Sequence, residues 1–286
     1  MRPDLPDVLG VAVIDGLHRA AEAVTTNPVA AMDAAWPAIE RAMFRLAGLA
    51  VSHWSAAGRT DAEALPVRRP DGTPMTVLAM GSAVELLTFC NDRAELLPTS
   101  KLTLPAVKRL RGTVADVAHQ IRDVDPQRLR TSRFDLAAVV VSARSGDRKG
   151  VTLSGALAEF VKLRNLEAHH AGRAQEWVDA HPDYPRLFAP LMVDAAWDLL
   201  TNADLAAPLH GWCVATVTDI SPARHNRATL TTFDPDAPTV MRAYAEGPTF
   251  GLEVGNQAVL NIGADPTRAR VVMPFIDVSR GVPDAL

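Results

Sequence analysis

Apolar residues recur at helical spacing up to about residue 202 and in short β-like runs after about residue 209. The first pattern predicts a helical bundle and the second a small β module, which together make an α+β chain. Residues 6–23 put Val8, Leu9, Val11, Ile14, Leu17 and Ala21 at helical intervals. Asn27-Pro28 then predicts a helix start, with Asn as N-cap and Pro at the first helical position. That helix runs through Trp36, Ile39, Met43, Leu46 and Leu49 towards Trp54 and stops near Gly58. Pro37 is expected to kink or split it. Residues 59–74 have no apolar period and hold Pro66, Pro70, Gly72 and Pro74, the marks of a surface loop. Helical spacing returns over 76–97 and 102–124. Asp125-Pro126 repeats the cap-and-proline signal, and the β-branched run 136–141 is read as helix because its neighbours are helical. After a polar turn at 145–150, Thr152 is expected to cap a helix that ends near Gly172. Residues 176–181 and 185–202 close the bundle.

The β-like runs are 212–218, 227–233, 240–245, 250–254, 258–262 and 270–276, separated by Pro, Gly, Asn and Asp as in an antiparallel meander. Three regions follow: an N-terminal helical region over 1–75, a helical bundle over 76–206, and the β module over 207–286.

Composition narrows the classes. Hydrophobic residues are 48% and charged residues 22%, ordinary for a globular chain. The net charge of −4 argues against a general polyanion binder, while a local RNA site stays open. Cys90 and Cys213, far apart, give neither a disulfide framework nor a zinc site. No run approaches a membrane span, and Met-Arg-Pro-Asp-Leu-Pro-Asp has no signal-peptide character. A cytoplasmic protein with no membrane partner, no metal and no cofactor is expected.

The stretch that carries chemistry is 160–172. Arg164, Asn165 and His169 form R-N-x-x-x-H near the end of a predicted helix, with His170 and Glu167 as accessory candidates. At about 100° per residue, Asn165 and His169 share a face, and the long Arg164 side chain can reach it. Metal-free RNA cleavage needs a base for the 2′-OH, an acid for the leaving 5′-oxygen and a cation for the transition-state charge. Histidine titrates near neutrality, and arginine offers a planar fork matched to phosphate. A second copy about a twofold axis would bring two Arg and two His together, so a homodimer is expected.

Arg164-Asn165-x-x-x-His169 resembles the spaced Arg, polar residue and His pattern of HEPN domains. The likeness covers about 76–202. The N-terminal helices and the β module, with its proline-bearing end at 271–276, match only loosely. The resemblance implies a small helical bundle that dimerises, many of whose members are metal-independent endoribonucleases of toxin and antiphage systems. It makes RNA the expected substrate and an antitoxin or other protein a candidate partner. The alternative it admits is a non-catalytic dimerisation module that recruits a partner.

Plainer accounts stand beside these. Arg164 with Glu167 fits a surface i,i+3 ion pair, and His169 and His170 fit a helix C-terminal dipole. Trp36 and Trp54 fit a core or an interface better than a base-stacking platform. The run Lys108-Arg109-Leu110-Arg111 fits a solvated helix face. The β module could serve as an OB-like or SH3-like binding platform, but in sequence it lacks the aromatic stripe of a single-strand binder, which favours packing or partner docking.

Overall fold

The computed structural model describes residues 2–58, 64–73, 75–124, 150–168, 184–222, 227–246, 251–263 and 269–282, with backbone alone at 117–124, 165–168, 222, 227 and 246. Seven α-helices are described: α1 (Val11–Ala23), α2 (Pro28–Ala56), α3 (Met80–Ala94), α4 (Pro105–Val124), α5 (Leu153–Ala168), α6 (Tyr184–Leu200) and α7 (Ala203–Ala206). A five-stranded sheet follows, so the chain is α+β.

Local chemistry sets the helix starts. The Asn27 side chain accepts from the Ala30 N–H at 3.1 Å, with Pro28 opening α2. The Thr152 hydroxyl accepts from the Gly155 N–H at 3.1 Å and begins α5. The α4 start is capped from outside, where Ala106 N–H donates to Asp198 Oδ2 of α6 at 2.8 Å. That carboxylate faces the positive end of the helix dipole. α2 is not split at Pro37 but continues through it to Ala56. Predicted helix 76–97 is shorter at both ends. At its C-terminus Glu95 adopts φ +55°, and buried Asn91 brackets the turn by donating to Leu97 O (3.0 Å) and accepting from Leu97 N–H (2.7 Å). The readings at 125–149 and around Gly172 and 176–181 lie outside the described residues.

Residues from all of α1 to α6 join one apolar core around Trp54, Met43, Phe160 and Phe188. Helices of 1–75 and of 76–206 therefore draw on the same interior. Among the described residues no helix is long and apolar enough to cross a membrane.

The strands are β1 (Trp212–Pro222), β2 (Arg227–Asp234), β3 (Thr239–Glu246), β4 (Gln257–Asn261) and β5 (Ala269–Phe275). They form a closed barrel in the order β1-β2-β3-β5-β4 rather than a meander. Residues 251–254 of the fourth predicted run carry no strand. β1 is long enough to pair β4 with its first half and β2 with its second, with a bulge between Val217 and Asp219. β3 meets β5 in parallel at Ala243↔Ala269 and Tyr244↔Arg270. Closure removes the exposed edges that a five-stranded meander would leave. Small residues let the ring close, with Ala215, Ala243, Ala258 and Ala269 wholly buried inside it. Pro274 sits in β5 past the point where β3 leaves it, where a missing N–H breaks no ladder bond on that side.

The barrel is seated on the bundle. Val214, Val259, Met273 and Phe275 enter the helical core. Ser52 of α2 donates to Gly48 O at 2.7 Å and accepts from Ile276 N–H at 2.8 Å. Arg45 pairs with Asp236 at 2.8 Å and lies over the Phe275 ring at 5.2 Å. Gly48 makes this approach possible, since a Cβ there would stand 2.7 Å from Ile276 O and 2.8 Å from the Phe275 ring. Gly48→Ala is expected to destabilise the chain by about 1–3 kcal/mol through overpacking. Urea unfolding checks this, and an unchanged midpoint would mean that the barrel can shift freely on α2.

Candidate functional site

Helix α5 is pinned at its start by a two-bond bridge, Leu102 N–H to Val151 O at 2.8 Å and Val151 N–H to Leu102 O at 2.9 Å. Gly150 makes this close approach with φ +118°, where a Cβ would stand 2.7 Å from Leu102 O. Leu153, Ala156, Leu157, Phe160 and Leu163 then recur at helical spacing and anchor the buried side of α5.

Arg164 is half-buried near the C-terminal end of this helix. Its guanidinium carbon lies 5.3 Å from the centre of the Trp36 ring on α2. Trp36 is itself buried, so the cation rests on a fixed apolar surface. Among the described residues no carboxylate pairs with Arg164. The backbone of Asn165 and Glu167 continues α5, but their side chains are not described, and His169 and His170 lie outside the described residues. The structure thus supplies the cation of the motif and the helix that carries it.

Five residues before Arg164 on α5 sits Glu159, which sequence reading passed over. It is 1% exposed. Its Oε1 accepts from Arg111 Nε of α4 at 2.8 Å and from Lys162 Nζ at 3.1 Å. Its Oε2 is buried without a hydrogen-bond partner. Arg111 is therefore not part of a solvated face; it reaches across to neutralise a buried carboxylate. Arg109 fits the solvated expectation better, 61% exposed and 3.8 Å from Asp194. The only sequence signal for the cluster was an acidic residue among apolar neighbours on the motif helix.

Other chemistries find less support. Cys90 and Cys213 are buried, and burial pushes both thiols up to about 12, so neither is a ready thiolate nucleophile. Among the described residues no group of three His, Cys, Asp or Glu could hold a metal ion. A cleft of about 390 Å³ between bundle and barrel is lined by Arg41, Arg45, Phe275, Asp236 and Asp277, but neither Arg164 nor Trp36 lines it. Trp54, wholly buried and edge-on to Phe89 at 6.2 Å, is a core residue.

The fold and site define a mixed chain in which a helical bundle bearing an R-N-x-x-x-H motif carries a closed five-stranded barrel. Comparison with family models, curated proteins and solved structures finds no match.

Proposed function

We propose that this chain is a HEPN-type endoribonuclease that cleaves single-stranded RNA without a divalent metal, as a toxin or antiphage effector. The observation that carries the reading is the state of Arg164. Its guanidinium is held over Trp36 and pairs with no carboxylate among the described residues, and Asn165 and His169 follow it in the chain. A cation already locked to a carboxylate would have to break that pair before meeting a phosphate, and no described carboxylate holds this one.

In the reaction the ribose 2′-OH attacks the adjacent phosphate. His169 takes the 2′-OH proton or delivers one to the leaving 5′-oxygen, and Arg164 stabilises the charge that develops on the phosphoryl oxygens. Asn165 holds the phosphate or the imidazole. The products carry 2′,3′-cyclic phosphate and 5′-hydroxyl ends. One Arg and one His make a thin site, so a homodimer that doubles them completes it. Light scattering at micromolar concentration is expected to give twice the chain mass; a monomer removes this part of the reading.

Excess EDTA is expected to leave cleavage unchanged, and 2′-deoxyribose at the scissile position to stop the reaction without stopping binding. Inhibition by EDTA that magnesium restores would identify a metal nuclease and sink the mechanism. An intact dimer that cleaves no RNA under either condition would favour the non-catalytic interaction module.

A further inference from the structure

The geometry points to a second RNA site on this chain: the outer face of the β2–β3 hairpin, continued by Arg270 of β5, as a docking platform for single-stranded RNA. The choice of RNA as occupant rests on the nuclease reading above. The register builds the face. β2 and β3 pair Phe233 with Val240, Thr231 with Arg242, and Thr229 with Tyr244. The alternate residues Leu230, Met241 and Ala243 point into the barrel. Each strand alone shows one ring, but pairing puts both on one surface with Arg242 between them.

Several observations set this face apart. Phe233 is 37% exposed, Val240 70% and Tyr244 41%, and the rings of Phe233 and Tyr244 are the only large aromatics exposed among the described residues. The barrel sits on the bundle through β1, β4 and β5 and through Asp236 of the β2–β3 turn, paired with Arg45, while Phe233, Val240 and Tyr244 on the hairpin's outer side stay exposed. Tyr244 stands beside exposed Arg270 in the parallel β3–β5 register. Neither Arg242 nor Arg270 pairs with a carboxylate among the described residues. Among the described side chains the face carries one exposed acid, Asp219, opposite Thr231, whose carboxylate accepts from Ser221 at 3.0 Å, and the outward row continues in register to the Arg227–Glu246 pair.

Successive outward pairs on a strand are about 6.8 Å apart. Rings, a cation and hydroxyls thus alternate along about 14 Å of surface. A flexible polyanion with stackable bases fits that order: each ring accepts a base face without regard to sequence, and the two guanidinium groups meet phosphates. A net charge of −4 over the chain makes such a local basic and aromatic patch the more selective.

The test uses the full chain and a fluorescent 2′-O-methyl oligouridylate, which lacks the attacking hydroxyl. Phe233→Ala and Tyr244→Ala are each expected to weaken binding about tenfold. Tyr244→Phe keeps the ring and retains binding. Arg242→Ala is expected to flatten the slope of log K against log salt by about 0.7. Val77→Ala, on an exposed residue of the bundle side, leaves binding as it was. A Phe233→Ala/Tyr244→Ala double variant that binds as tightly as wild type overturns the proposal. So does a face that takes no oligonucleotide but whose double variant loses the dimer in sedimentation, which would make it a protein interface. Binding lost with the rings in a chain that cleaves no RNA would leave the platform standing and the nuclease reading fallen. Cleavage with ring-independent binding would do the reverse.

Discussion

His169→Ala is expected to lower cleavage of single-stranded RNA by ~10²–10⁴-fold, the usual share of one general acid–base residue. Its thermal midpoint should stay within the range of surface substitutions, about 0.5 kcal/mol. Arg164→Ala should lose a comparable factor because the developing charge has no other cation in the motif. It should also lose ~0.5–2 kcal/mol of stability, because the guanidinium rests on Trp36. The two variants therefore differ in a predictable way: both lose activity, but only the arginine variant softens. Arg164→Lys separates charge from shape, keeping a cation on α5 while giving up the planar fork, and should recover little of the rate. Single-turnover cleavage beside thermal unfolding reads all three. Full activity in His169→Ala would remove the histidine from the mechanism. An unfolding midpoint that falls with the activity would make His169 a structural residue.

What sequence shows and what it hides divide along locality. Asn27 before Pro28 and Thr152 before α5 were legible because a cap and its N–H lie within three residues of each other. The change from helical to strand spacing near residue 206 was legible for the same reason. The ring order was not. A meander and a closed barrel share the same alternating runs, and the choice lies in whether Trp212–Thr216 meets β4, far along the chain. The aromatic face was hidden likewise. Phe233 and Tyr244 lie on different strands and become neighbours on a surface only when Phe233 faces Val240. At the site, the motif was visible as a string, whereas Trp36 beneath Arg164 and Arg111 beside Glu159 are partners from other helices. A basic run beside a helix reads as solvated unless the buried acid opposite it is known.

That buried acid makes the second large effect. Arg111→Met is expected to destabilise the chain by ~3 kcal/mol, since removing one partner of a buried ion pair leaves an under-compensated charge. The Glu159 side chain is 2% exposed, its Oε2 already lacks a partner, and only Lys162 would remain on Oε1. Glu159→Met should cost much less. It removes the charge that is hardest to desolvate and leaves Arg111, whose side chain is 21% exposed, a route to water. The double variant Arg111→Met/Glu159→Met should fall close to wild type or above it, because matched apolar side chains replace a buried pair at little or no cost. The singles would then sum to more than the double, a coupling that urea unfolding of the four proteins measures. The asymmetry is the informative quantity. If Arg111→Met is the cheaper single change, the carboxylate already reaches solvent or another cation. If it is the dearer, Arg111 holds α5 against α4 through Glu159, and with it the helix that sets Arg164 on Trp36.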